Sequence, residues 1–246
     1  MLIYLAGFQA HKNIFFKVKP KYILESFYYI KNNDFIIYRN NIANSVLLDS
    51  GAFTYMNTLN KKVNFDDYVE KYAKYIYENN IKLYFEMDID LIIEYEKVKE
   101  YRKFLEEKTR TKSIPVWHKS RGIEEFKKLT KEYDYIAIGG LAIKHIKRSE
   151  YKYLNPLINI AHKNDCKVHG LGFTNTKLLK SIYFDTVDST TWNRGRFGEM
   201  CIYEKGEIKY IQRKKERIKN QTEASEFNLM QWKLYAQYME DYKCII

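Results

Sequence analysis

Apolar positions along this chain switch repeatedly between a period of two and a period near 3.6, the signature of strands alternating with crossover helices in a parallel sheet. Strands are expected where a short apolar run breaks into an acid or a glycine. Such runs are the opening Met1-Leu-Ile-Tyr-Leu-Ala-Gly, Val46-Leu-Leu-Asp49-Ser-Gly, Leu83-Tyr-Phe-Glu-Met-Asp88, Tyr135-Ile-Ala-Ile-Gly139-Gly-Leu-Ala, Lys167-Val-His-Gly170-Leu-Gly and Tyr183-Phe-Asp-Thr-Val-Asp188, with Ser113 to Trp117 added by pattern. Phe35 to Tyr38 reads as a further short strand.

Helical spacing predicts a helix from Pro20 to Asn32, with Ile23, Leu24, Phe27, Tyr28 and Ile30 on its inner face. A second covers residues 64 to 80, where Asn64 is a good N-cap and Asp66 and Asp67 place carboxylates in the first turn, against the positive helix end. Further helices are expected at 91 to 109, around Ile123, Phe126 and Leu129, at 149 to 164 despite Pro156, and briefly from Asn175 to Ser181. Seven or eight strands with helices between them and no long Gly/Pro linker predict an α/β fold, a (β/α)8 TIM barrel or close variant, over residues 1–200. Residues 201–246 differ in texture: a β-hairpin turning at Lys205-Gly206, a basic segment from Arg213 to Lys219, and a closing amphipathic helix from Glu226 to Tyr242 with Leu229, Trp232, Tyr235, Ala236 and Met239 on one side, all packed on the barrel.

Charge changes this picture. The 246 residues carry a formal net charge of +11, with a sequence pI near 9.2, which favours a polyanionic partner such as nucleic acid over an acidic protein or a neutral metabolite. Abundant lysine, isoleucine, asparagine and tyrosine also fit an AT-rich genome, a bland source of the same charge. The run Arg213–Lys219 sets five positive charges against one negative, either as a phosphate contact or as a solvated face. Cys166, Cys201 and Cys244 form neither a CxxC pair nor a disulfide framework, as expected for a reducing cytoplasm. No apolar run reaches the roughly 18 residues of a membrane span, and the N-terminus reads as a strand rather than a signal peptide.

Asp49, Asp88, His118, Gly139, Gly140, Gly170, Gly172 and Asp188 all follow strands, so a barrel would gather them on one rim. A lone Asp after a strand is usually a turn or N-cap residue; three on one mouth weaken that explanation. Such a set can divide labour between nucleophile, general acid/base and substrate hydrogen bonding. The Gly-Gly-Leu-Ala and Gly-Leu-Gly turns would let a flat ligand approach the backbone. Neither has the GxGxxG spacing of a dinucleotide fold.

Asp49-Ser50-Gly51-Ala52-Phe53, Met87-Asp88, Gly139-Gly140-Leu141-Ala142, Gly170-Leu171-Gly172 and the Asp188 strand together resemble the tRNA-guanine transglycosylase superfamily, in this order and across most of residues 45 to 198. The Asp188-Ser-Thr-Thr-Trp192 segment resembles still more closely the phage and mobile-element relatives that insert 7-deazaguanine bases into DNA. The resemblance implies a cofactor-independent barrel enzyme that exchanges guanine in a nucleic acid, DNA favoured over tRNA, for a free 7-deazaguanine base through a covalent glycosyl-aspartate. It implies Asp188 as nucleophile, Asp49 as acid/base, and Asp88 with the backbone of Gly140, Leu141 and Ala142 as the base-recognition groups. His118 falls where the family has a glutamine contact. Direct alignment of the family's Phe-Asp would instead select Asp185; placing Asp188 there sets Arg194 six residues downstream, where the family has its arginine.

Alternation leaves Asp185 and Asp188 on opposite strand faces, so only one can enter the mouth. Phe53, Trp117 or Trp192 could stack on the base, and Arg194 and Arg196 are expected on flanking phosphates or in a structural salt bridge. The zinc site of the tRNA enzymes, three clustered cysteines and a histidine, has no counterpart: Cys201 and Cys244 are far apart and no histidine follows His169, so no metal is expected. The alternatives are a nucleoside or nucleic-acid glycosidase on the same site, and an inactive nucleic-acid-binding barrel or subunit.

Overall fold

A computed structural model describes residues 1–51, 54, 64–89, 92–211 and 220–242. Seven parallel strands form one sheet: β1 Leu2–Ala6, β2 Tyr22–Ser26, β3 Ser45–Asp49, β4 Val116–Trp117, β5 Tyr135–Ile138, β6 Lys167–Gly170 and β7 Thr186–Ser189, in the order β3-β2-β1-β7-β6-β5-β4. Helices α1 Lys12–Val18, α2 Asp34–Asn41, α3 Phe65–Glu78, α4 Tyr95–Thr109, α5 Gly122–Glu132 and α6 Leu154–His162 run between the strands.

These seven strands do not by themselves make the closed eight-stranded barrel expected from the pattern. The sheet is curled, however, because its two edges reach the same short segment. Leu48 of β3 bridges Tyr84, and Phe85 bridges Ile114 just ahead of β4, both in parallel sense. Four backbone bonds carry this: Leu48 N–H to Leu83 O at 3.0 Å, Phe85 N–H to Leu48 O at 2.9 Å, Glu86 N–H to Ile114 O at 3.1 Å and Ile114 N–H to Tyr84 O at 2.8 Å. The buried Tyr72 hydroxyl of α3 donates to the carbonyls of Leu48 and Phe85 at the same junction. The strand expected over Leu83–Asp88 is thus reduced to isolated bridges.

Side-chain alternation sorts each strand between two cores. Ile3 and Leu5, Ile23, Val46 and Leu48, Ile136 and Ile138, Val168 and Val187 pack toward the helices. Tyr4, Ala6, Leu24, Leu47, Val116 and Ala137 join Phe85 and Ile114 in a separate cluster on the concave face. The concave parity continues from Leu47 to Asp49 and places His169, Thr186 and Asp188 opposite Val168 and Val187.

Several boundaries depart from the sequence pattern. Pro20–Asn32 is β2 followed by a 3-10 turn at Phe27–Tyr29, not a helix, because Ile23 and Leu24 face opposite cores as only a strand allows. Phe35 and Tyr38 belong to α2, where their i, i+3 spacing buries both. The helix expected at 149–164 splits into a 3-10 turn, Arg148–Tyr153, and α6, with Pro156 in the first turn, where a missing N–H costs nothing. Asn175–Ser181 forms turns rather than a helix. Asn64 caps α3 as its chemistry predicts, accepting from the amides of Asp66 and Asp67.

The C-terminal segment forms the hairpin β8 Met200–Glu204 and β9 Glu207–Ile211, then α7 Gln221–Asp241. Leu229, Trp232, Tyr235, Ala236 and Met239 are all buried. α7 packs against β1 and α1, and is tied there by the Met1 ammonium on Met239 O, Lys233 on Val18 O, and the Lys17–Glu226 ion pair at 2.6 Å. The basic run Arg213–Lys219 and Cys244 lie outside the described residues.

Candidate active site

Two strands and the bridging segment deliver carboxylates to one small cavity. Asp49 closes β3, Asp188 stands within β7, Asp88 follows the bridging segment, and His118 follows β4; all four line a cavity of about 240 Å³ with Ser50, Gly140, Ala142 and Gly172. That lies below the roughly 300 Å³ at which pockets for drug-sized ligands begin, so it suits a single small ring system. Burial, reinforced by the neighbouring charges of Asp88 and Asp188, pushes Asp49 up to about 7 against the pull of the Gly51 and Ser50 amides. Asp49 is therefore able to hold or release a proton near neutrality, as an acid/base group requires. Asp88 is anchored by His118, whose Nε2 lies 2.6 Å from Oδ1.

Asp188, 8 % exposed, has both its hydrogen-bond donors on one oxygen: the Gly172 amide at 2.5 Å and His169 Nε2 at 3.2 Å from Oδ1. Gly172 has φ of +67°, and a Cβ there would lie 2.7 Å from that of Ala142, so the close approach of its amide needs glycine. Asp185 points the other way, accepting from Val168 N–H at 2.7 Å and pairing with His162 Nε2 at 2.9 Å in the helical layer.

His169 is a site residue the sequence reading did not single out. It is wholly buried, with Nδ1 2.6 Å from Thr186 Oγ1, and that oxygen lies 2.5 Å from the Tyr135 hydroxyl. Its parity with Asp188 across adjacent strands was the available signal.

The other expected residues divide. Gly139 and Gly170 serve packing rather than ligand approach: a Cβ at Gly139 would strike His118 and Val116, and one at Gly170 would strike Phe184. Gly140 and Leu141 carbonyls accept from Ile146 and Lys144 amides, so this turn offers a ligand amides rather than carbonyls. Gly51 lies tightly against Ser26 and Tyr28. Trp192 does not reach the cavity; it is fully buried, stacked edge-on against Phe15, with its indole N–H on Ala6 O at 3.0 Å. Trp117 is likewise core, donating to Gly122 O. Arg194 pairs with Glu199 at 3.0 Å, and exposed Arg196 lies over the Phe197 ring. Phe53 lies outside the described residues.

Beside the acidic cavity, and sharing Ala142 and Gly172 with it, opens a groove of about 940 Å³. Lys144, Lys147, Arg148, Lys177 and Arg194 line it, with Tyr210 of β9 on its wall. Among the described residues no group of three or more His, Cys, Asp or Glu side chains is placed to hold a metal ion. Among them, too, no helix is long and apolar enough to cross a membrane. In comparisons with known proteins, no protein-family model and no curated protein matches this chain.

Proposed function

We propose that this chain is a glycosyl-transferring enzyme on a TIM-like α/β fold, its curled seven-stranded sheet linked at the edges by the isolated bridges of Tyr84 and Phe85 rather than closed as a barrel. More particularly, we read it as a base-exchange transglycosylase of the tRNA-guanine transglycosylase type, replacing guanine in a polynucleotide with a 7-deazaguanine. The observation that carries this is the convergence of Asp49, Asp88 and Asp188 on one base-sized cavity. The adjoining cationic groove supports a polymeric substrate, since Lys and Arg side chains lining a groove suit a phosphodiester backbone. DNA is favoured over tRNA because the sequence lacks the cysteine–histidine zinc cluster of the tRNA enzymes.

A guanosine leaves its stack so that its glycosidic carbon can enter the cavity. The unbonded oxygen of Asp188 attacks C1′, forming a C–O bond as the bond to guanine N9 breaks; the electron pair leaves with guanine, which takes a proton from Asp49. Asp88, steadied by His118, accepts N–H bonds from the base edge, and the amides of the 140–142 turn donate to its carbonyl. The incoming base then gives its N9 proton to Asp49, and N9 displaces Asp188 from C1′. Incubation with guanine-labelled DNA and tRNA, each with a 7-deazaguanine acceptor, tests this: label release and a covalent protein–polynucleotide adduct on a denaturing gel are expected. Release of guanine without uptake of the acceptor would instead make the chain a glycosidase, and no release from either polymer would remove the reading.

A further inference from the structure

We infer that His169 is a positioning residue for Asp188, held as the neutral Nε2–H tautomer by Thr186 and Tyr135, so that Oδ1 is anchored and Oδ2 is the attacking oxygen. The inference rests on the proposed role of Asp188 as nucleophile.

Each group in the chain of hydrogen bonds can satisfy only one direction when Asp188 is ionised. An ionised carboxylate accepts and cannot donate, so the atom facing Oδ1 must be a donor. Nε2 therefore carries hydrogen, leaving Nδ1 of a neutral ring as an acceptor. Among the described residues the partner of Nδ1 is the Thr186 hydroxyl at 2.6 Å, which must donate to it and in turn accept from the Tyr135 hydroxyl at 2.5 Å. The opposite tautomer would set a lone pair of Nε2 against a carboxylate lone pair at 3.2 Å. For a neutral ring, reversal of the chain is compatible only with a protonated, non-nucleophilic Asp188.

The imidazole is wholly buried, with the Phe85 ring 5.2 Å and the Tyr4 ring 6.4 Å away. The titratable groups facing it are Asp188 directly, Tyr135 through Thr186, and Tyr4 from β1; Asp49, Asp88 and His118 stand beyond Asp188 in the cavity. Burial raises both Tyr4 and Tyr135, so these hydroxyls remain protonated donors throughout the working range. With the Gly172 amide and His169 both on Oδ1, and no hydrogen bond to Oδ2 among the described residues, the carboxylate is oriented with one oxygen committed and one exposed to the cavity.

The experiment has an arm that needs no substrate. Protein labelled with ¹⁵N in its histidine rings is expected to show one ring at pH 7 with Nε2 protonated and Nδ1 bare, lost in His169→Gln; an Nδ1–H ring or an imidazolium at that position would overturn the inference. In base exchange, His169→Leu should lower kcat roughly 10–100-fold, the range that supporting partners of reactive ligands typically carry, with KM little changed. His169→Gln, which can return a donor to Oδ1, should recover part of the loss. Tyr135→Phe and Thr186→Val remove the outer links with little change of shape and should give smaller kcat losses, which keeps the test valid if His169→Leu does not fold. Unchanged kcat in all four would overturn the inference, whereas absence of exchange in the wild type with the expected tautomer present would count against the transglycosylase reading alone.

Discussion

Glu86 and Asp88 stand two residues apart in one segment, yet their carboxylates sit in opposite settings, one wholly buried and one partly exposed. Glu86 is wholly buried and fully compensated: Arg102 Nε at 2.5 Å, Arg121 Nη1 at 3.1 Å and the Val116 amide at 2.8 Å surround it, and both guanidinium groups lie against the Tyr95 ring. Asp49, Asp88 and Asp188 face a cavity with no Lys or Arg among its described lining residues. A charge cage of the first kind fixes a structure, since both carboxylate oxygens already have donors. A cluster of the second kind leaves carboxylates competing, and the upward shift of Asp49, caused by burial and reinforced by that competition, is a property the fold alone does not need.

The sharpest way to break this contrast is at its two nucleophile candidates. Asp188→Asn keeps size but removes the attacking charge, so exchange should fall by roughly 10³-fold or more while oligonucleotide binding survives. Asp185→Asn should leave kcat within a few-fold and lower thermal stability instead, since it serves Val168 and His162. An adduct that persists in Asp188→Asn and vanishes in Asp185→Asn would reverse the assignment.

Glu86→Gln probes the other side. Removing one partner of a buried ion cluster typically costs about 3–5 kcal/mol, and here it leaves two arginines without their counter-charge. Urea unfolding should show that loss, while the activity of the protein still folded should stay near wild type. A large activity defect at unchanged stability would place Glu86 in the chemistry.

The smallest effect is a pH dependence of stability. Asp49 and Glu25 are both pushed up to about 7, chiefly by burial. In the unfolded chain such carboxyls ionise near 4. Unfolding therefore releases protons between these values: the stabilisation is fully present below about pH 4 and is lost as pH rises through about 7. Glu25→Gln and Asp49→Asn should each flatten the fall in Tm between pH 4 and 8. For Asp49→Asn the exchange rate should also lose its dependence on a group titrating near 7. A Tm curve identical to wild type would show that these groups ionise freely in the fold.

The sequence by itself determined which residues stand at strand ends and which side of a strand they take, because alternation and turn chemistry are local. From this came the strands around Asp49, Gly139, Gly170 and Asp188, the division between Asp185 and Asp188, the cap at Asn64, the hairpin at Lys205-Gly206 and the buried stripe of α7. Short apolar runs were the weak point: Ile23-Leu24 and Phe35–Tyr38 fit either period over so few residues, and only packing on both faces of the sheet, or on one face of a helix, separated them.

What only the tertiary structure decided were partnerships across the sheet. His169 meets Asp188 from a residue 19 positions away because β6 and β7 are adjacent and in register. Glu86 meets Arg102 and Arg121 rather than the cavity, and Trp192 turns inward to Ala6, leaving the cavity without its ring. Strand order and the depth to which a side chain is buried are set by the whole core at once, and no window of sequence contains them.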